Sequence, residues 1–263
     1  MRVAYATMLY RYLPPLEAIR RLYEMGVDVY ELSYDNFTVA RRGQEDALLD
    51  QVLQGAKGVG ARAASVHLPY DKQTLSQLAE GKEGAFTRMI RWMRAGHELG
   101  AAVAVIHTLP LPAGRRESLE ANVRVLSRLA REAANLGMTL AVENRLESDI
   151  YGASLDELAS IVGGVEGLAV CADVGHMNVN GVDPPEGLSR LKGSIAVVHA
   201  HDNDGSSDQH LPPMTGTIDW FRVAGSLVGY GGQLTYEVSC MGPQARCDNY
   251  VRLLKMVHRN VFG

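Results

Sequence analysis

Two hydrophobic periods alternate along the chain. Short runs rich in β-branched and small apolar residues are separated by longer stretches in which apolar positions return every three or four residues. The first kind predicts strands over 3–8, 28–33, 61–68, 101–108, 138–143, 168–173, 194–201 and 233–239. The second predicts helices between them, including 14–25, 84–99, 118–136 and 154–162, with a last helix running to the C-terminal end. The run Ala102-Val103-Ala104-Val105-Ile106 is apolar on both faces, as a strand covered on both sides must be.

Local chemistry marks the boundaries. Pro14 and Pro15 suit a first helical turn, where the missing N–H has no partner to lose. Gly26, Gly100 and Gly137 each follow a helical run, where glycine closes the last turn. Ser154 with Glu157 three residues on is a capping box. Eight strand–helix repeats predict an α/β fold, a single (β/α)8 TIM barrel spanning residues 1–263. A doubly wound open sheet is the alternative, but residues 7–12 follow the first strand without its glycine-rich phosphate loop.

Composition narrows the partners. With 46% hydrophobic and 21% charged residues the chain has ordinary globular usage. A net charge of −4 makes nucleic acid a poor default partner, although a local basic rim is not excluded by it. No apolar stretch approaches the roughly 20 residues of a membrane span. Cys171, Cys240 and Cys247 are odd in number and lack CxxC spacing, so neither a disulfide nor a zinc ribbon is expected. With no apolar leader at the start of the chain, a reducing, cytoplasmic location is the expectation.

The polar residues carry the chemistry. Of eight histidines, His97 and His258 lie in helical patterns, and the other six (His67, His107, His176, His199, His201 and His210) fall at strand ends or just after them. Glu143, Asp173 and Glu237 likewise close the fifth, sixth and eighth strand runs. Carboxylates after apolar runs are costly unless a cation or strong donors compensate them. The C-terminal strand ends are also where such barrels place their chemistry. A lone histidine there is more often structural than a ligand, but strands three to eight all deliver His, Asp or Glu to one pole. Oxygen and imidazole donors together suit Zn, Mn or Co, and the oxygen-rich subset suits Mg. No cysteine is counted in this set. Asp173 and His176 bracket a tight turn, His199 and His201 project to one side of a strand, and Asp208 and His210 sit two apart in a loop.

At this level of detail the chain resembles the xylose-isomerase-like barrel superfamily, which includes sugar isomerases and epimerases and endonuclease IV. The resemblance rests on Val66-His67-Leu68-Pro69-Tyr70, Val105-Ile106-His107, Ala141-Val142-Glu143-Asn144, Asp173-Val174-Gly175-His176 and His199-Ala200-His201-Asp202. It continues in Asp208-Gln209-His210, Gly216-Thr217-Ile218-Asp219-Trp220 and Tyr236-Glu237-Val238. The isomerase branch implies one divalent metal on Glu143, Asp173, His199 and Glu237. His199 is preferred to His201 because Asp202 follows it by three residues, which leaves His201 facing the substrate or supporting the ligands. The endonuclease IV branch implies up to three zinc ions on His67, His107, Glu143, Asp173, His176, His199, Asp208, His210 and Glu237. The chain departs from that branch at Asp71-Lys72-Gln73-Thr74, Thr108-Leu109-Pro110 and Arg145-Leu146-Glu147, segments that face DNA there. Met214 also stands where the first glycine of a Gly-x-Gly is usual.

The resemblance implies an isomerase or epimerase of a sugar, sugar phosphate or related polyol carbonyl compound. A metal-stabilised enediolate would form, with Glu143 and Glu237 as catalytic base and acid. His176 would donate to a substrate oxygen. Glu31 and Arg145 are further candidates for orienting substrate, with a rim ion pair as the competing role of each. The alternative is a trinuclear-zinc phosphodiesterase acting at abasic sites, and a barrel that merely binds a sugar is a third reading. Barrels of this kind often pair as homo-oligomers.

Overall fold

A computed structural model describes residues 1–38, 44–110 and 114–263. Eight parallel strands close into a barrel in sequence order, β1 to β8. They are β1 Arg2–Ala6, β2 Val29–Leu32, β3 Arg62–His67, β4 Val103–His107, β5 Thr139–Glu143, β6 Ala169–Asp173, β7 Ile195–Ala200 and β8 Gln233–Tyr236. The barrel closes by pairing β1 with β8 in parallel. The expected fold is therefore present.

Period-two alternation divides each strand. Leu140 and Val142 of β5, Val170 and Ala172 of β6, and Leu234 and Tyr236 of β8 face outward into the layer beneath the helices. Val105, Ala141, Cys171 and Val197 pack as a separate cluster, on the alternate positions that fill the barrel interior. Continuing that inner face by two residues reaches His107, Glu143, Asp173 and His199. Register aligns them further: His107 pairs with Glu143, and Asp173 with His199. The pole was thus set by a strand period and a stagger.

The helices follow the sequence signals closely. Pro15–Glu24, Glu83–Glu98, Arg115–Asn135 and Leu155–Gly163 occupy the expected stretches, and Gln244–Val257 leads to the C-terminal end. Gly26, Gly100 and Gly137 take φ of 73°, 97° and 71°, as helix-closing residues. Ser154 Oγ accepts from Glu157 N at 3.3 Å.

Three strand ends differ from expectation. The first strand was predicted to run to Met8, but Thr7–Tyr10 turns into a buried 3-10 helix. Mutual bonds with β2's end hold it there: Ser33 N donates to Thr7 Oγ1 at 2.9 Å. The seventh strand stops at Ala200, so His201 lies beyond it; the eighth stops at Tyr236, so Glu237 opens a loop.

The cysteine expectation is corrected. Cys240 and Cys247 form a disulfide with Cα atoms 5.5 Å apart, although seven residues separate them. The chain turns back after β8 into the last helix, which brings together two cysteines that no short motif announces. This removes the cysteine-count argument for a reducing compartment. Among the described residues, no helix is long and apolar enough to cross a membrane.

Asp202 organises the loop after β7. Its carboxylate accepts from Ile218 N at 3.2 Å and from the Trp220 indole at 2.8 Å. The Gly-deficient position keeps the left-handed backbone: Met214 has φ of 74° and is 48% exposed. A side chain there costs roughly 1–2 kcal/mol, while glycine adds about 0.4–1 kcal/mol of unfolded-state entropy. Met214→Gly is therefore expected to stabilise the protein by roughly 0.5–1 kcal/mol, read as a higher urea midpoint with unchanged slope. A lowered midpoint would show that the methionine side chain holds the loop.

Candidate metal centre and active site

His199 Nδ1 is the centre of the site. It is fully buried and has no hydrogen-bond partner among the described residues. Around it stand Glu237 Oε2 at 3.3 Å, Glu143 Oε2 at 3.6 Å and Asp173 Oδ2 at 3.8 Å. Donors bound to one ion at about 2.0–2.2 Å lie about 3–3.5 Å from each other, so His199 Nδ1 stands at or just beyond ligand-to-ligand distance from each of the three carboxylates. These residues fit a divalent metal by donor type, spacing and burial.

The other predicted ligands ring this centre. His67 Nε2 lies 3.1 Å from Glu143 Oε2, and His107 Nε2 3.4 Å from the same oxygen. Asp208 Oδ2 stands between His210 Nε2 at 2.9 Å and His176 Nε2 at 3.5 Å. His201 Nε2 lies 3.1 Å from both oxygens of Asp173. All nine residues of the larger ligand set thus converge on one mouth, and His201 supports Asp173 from the side. The two helical histidines stay apart: His97 is exposed, and His258 meets the Tyr236 hydroxyl at 3.2 Å.

Two sequence expectations need correction. Cys171 is part of the neighbourhood after all, since its sulfur groups with donor atoms of Glu143 and His199 within 4.8 Å. It sits two residues before Asp173, hence on the same strand face and one layer deeper; burial holds its thiol well above the usual range. Glu31 does not face the mouth. Its carboxylate is fully buried, accepts from Ser65 Oγ at 2.6 Å and lies 3.2 Å from His199 Nε2. It orients a ring and makes no rim ion pair. Arg145 makes an ion pair, one of its two expected roles, from a buried position. It is 6% exposed and reaches His107 Nδ1 and Glu147 Oε1, each at 2.7 Å.

Asn144 follows Glu143 at the end of β5, and the sequence alone predicts no role for it. Its amide accepts from Asp173 N at 2.8 Å and donates to Asp173 O at 3.1 Å, tying the ends of β5 and β6. Its carbonyl lies 2.9 Å from His176 Nδ1. An amide directly after a strand-end carboxylate was the available signal.

A cavity of about 250 Å³ opens over His67, Glu143, His176, His210 and Glu237. It is adjoined by a groove of about 830 Å³ bordered by Tyr70, Asp71, Lys72, Arg145, Glu147 and Asp149. His107, His176 and Asp208 line both.

Charge in the mouth is balanced by protons when no metal is bound. Burial alone would lower His67 and His210, but Glu143 beside the first and Asp208 beside the second lift each to about 9. Burial would raise Asp173, yet the His176 and His201 rings hold it at about 2. His107 goes the other way: burial lowers it to about 4.

The chain belongs to the xylose isomerase-like TIM barrel family, whose sequence profile matches residues 19–257. An uncharacterized protein of Methanocaldococcus jannaschii is 30% identical over 186 residues, covering 66% of this chain and 59% of that protein. The L-ribulose 3-epimerase of Mesorhizobium japonicum is 28% identical over 222 residues, covering 81% of this chain and 72% of the enzyme. Among solved structures, a D-tagatose 3-epimerase-like protein superposes with a TM-score of 0.79 at 21% identity, covering 99% of this chain and 100% of that one. The IolI protein, whose structure has a bound zinc atom, gives 0.77 at 17% identity, covering 100% and 98%. At those identities the superpositions show a shared fold.

The raised imidazoles generate a prediction. Below about pH 9 the metal-free protein keeps protons on His67 and His210. These ion pairs stabilise the metal-free fold fully below the unfolded histidine value, about 6.5, and the contribution is lost as pH rises through about 9. A divalent ion beside these carboxylates replaces the positive charge that the protons supply, so zinc affinity is expected to rise with pH up to about 9 and then flatten. Calorimetry in buffers of different ionisation enthalpy should show proton release near neutral pH. Buffer-independent heats would show that the rings are already neutral.

Proposed function

We propose that the protein is a divalent-metal-dependent epimerase or isomerase of a neutral, polyhydroxylated carbonyl compound, a free ketose being the simplest case. The observation that carries this reading is the buried, unpartnered His199 Nδ1 facing three carboxylate oxygens. Membership of the family and the similarity to L-ribulose 3-epimerase support the substrate class. Zn, Mn, Co and Mg all suit these donors.

A divalent ion on Glu143, Asp173, His199 and Glu237 supplies Lewis-acid polarisation of a carbonyl and its neighbouring hydroxyl. The remaining chemistry belongs to the side chains. Glu143 and Glu237 each turn Oε2 toward His199, which leaves Oε1 of each for proton transfer. One Oε1 takes the proton from the carbon beside the carbonyl, giving an enediolate. The other returns a proton to the opposite face, or to the adjoining carbon in an isomerisation. His176 places Nε2 beside Asp208 at the groove, where it meets a substrate hydroxyl.

Groove charge favours a neutral substrate over a phosphorylated one. Asp71, Glu147, Asp149 and Asp208 line it with Lys72 and Arg145. Arg145 is already engaged by Glu147. A phosphate or a nucleic acid backbone would face more carboxylates than free cations.

The test is exchange of substrate hydrogen with solvent. Metal-loaded protein in deuterated water is expected to incorporate one deuterium beside the carbonyl of a ketopentose or ketohexose. Glu143→Gln and Glu237→Gln should each reduce this by about 10³-fold or more. Full exchange in the Glu237→Gln variant would end the two-glutamate reading.

A further inference from the structure

The histidines of the mouth differ in what holds the ring nitrogen that points away from the cluster. For His67, that nitrogen is Nδ1, 3.1 Å from the Leu68 carbonyl. For His176 it is Nδ1, at 2.9 Å from the Asn144 carbonyl and also 3.4 Å from Glu143 Oε1, and for His210 it is Nδ1 at 2.8 Å from the Glu237 carbonyl. For His199 it is Nε2, against the Glu31 carboxylate at 3.2 Å. Each of these partners only accepts. In the neutral ring the away-facing nitrogen therefore keeps the hydrogen, and the lone pair freed on the other nitrogen when its proton leaves is directed at the cluster. This is the arrangement metal-ligating histidines need.

His107 has the opposite polarity. The partner of its Nδ1 is the Arg145 guanidinium, with Nη1 at 2.7 Å. Arginine has donors and no acceptor. Nδ1 must therefore accept, and Nε2 carries the hydrogen and turns it toward Glu143 Oε2 at 3.4 Å. An N–H in that place cannot bind a metal. Arg145 is firmly placed to impose this. Its own N donates to the Gly152 carbonyl at 3.2 Å, its carbonyl accepts from Asn180 Nδ2 at 2.8 Å, and Glu147 holds its other terminal nitrogen. It also brings a permanent positive charge to the edge of the cluster.

We propose that Arg145 withdraws His107 from the ligand set and so closes the His67–His107–Glu143 position to metal, making His107 a hydrogen-bond donor that positions Glu143. This rests on the reading that the mouth binds divalent metal. It says which part of the mouth does so, and it separates this chain from a three-metal centre despite all nine ligand residues being present.

Zinc counting after metal removal and reloading tests it, with elemental analysis as the readout. The natural chain is expected to hold one or two zinc ions, and His107→Ala should leave that number unchanged. Arg145→Met should gain one zinc, and adding His107→Ala to Arg145→Met should abolish the gain. Ring-nitrogen NMR of the natural chain should show the hydrogen of His107 on Nε2. Three zinc ions in the natural chain, or one fewer in His107→Ala, would overturn the proposal and leave the metal-site reading intact. No zinc in the natural chain would overturn both. If Arg145→Met does not fold, the His107→Ala count and the NMR tautomer decide the matter alone.

Discussion

Buried negative charge is the constraint on which the rest of this structure depends. Glu143, Asp173 and Glu237 stand in the barrel mouth with Glu31 behind them, each at most 5% exposed. Charges so close in a poorly hydrated setting repel strongly unless positive charge is interleaved. The imidazoles supply it as protons when metal is absent, and a divalent ion can take their place. The same crowding therefore explains two observations. It lifts His67 and His210 to about 9, and it keeps an unpartnered nitrogen of His199 among three carboxylates.

The barrel makes such crowding attainable with ordinary elements. A parallel strand turns alternate residues inward, and the stagger between neighbours decides which of them share a level. Cys171 and Asp173 occupy successive inward positions on β6, and register with β5 places Glu143 beside the first of them. Asp173 thus rises one step above Glu143 and meets His199 of β7. Loops complete the set, with Asp202 clamping the segment after β7 so that Asp208 and His210 return to the mouth. The strain at Met214 lies in that returning loop, outside the buried set.

Much of this was legible in the sequence, for identifiable reasons. The strand period and the clustering of histidine at strand ends are local patterns, and they placed Glu143, Asp173, His199 and Glu237 at one pole. The disulfide was not legible, because Cys240 and Cys247 are joined by the path of a turn and no spacing rule describes it. Glu31 was recognised as relevant but misplaced. Sequence locates a residue at a strand end without saying whether its side chain meets solvent, substrate or the back of another ligand. Cys171 was overlooked for a related reason: it belongs to the layer below the pole, and only the stagger shows how near that layer comes.

Hydrogen-bond polarity adds a distinction that neither residue type nor distance supplies. His67 and His107 are close neighbours, with ring centroids 5.0 Å apart, and both lie near Glu143 Oε2. By proximity alone they are equivalent. A carbonyl behind one ring and a guanidinium behind the other mean that, in the neutral rings, the first turns a lone pair and the second an N–H toward that oxygen. Supporting groups thereby decide what a fixed set of ligand-type residues can do. The same logic ranks Glu31 with the site although no substrate could reach it. A carboxylate behind His199 fixes the tautomer and raises the basicity of the one nitrogen on which the four-ligand centre depends. Ser65, itself accepting from Gln233 Nε2 at 2.6 Å, holds that carboxylate in turn. The polar chain from β8 through β3 and β2 to β7 is therefore best understood as the foundation of the proposed metal centre, built into the barrel interior where packing alone would have called for apolar side chains.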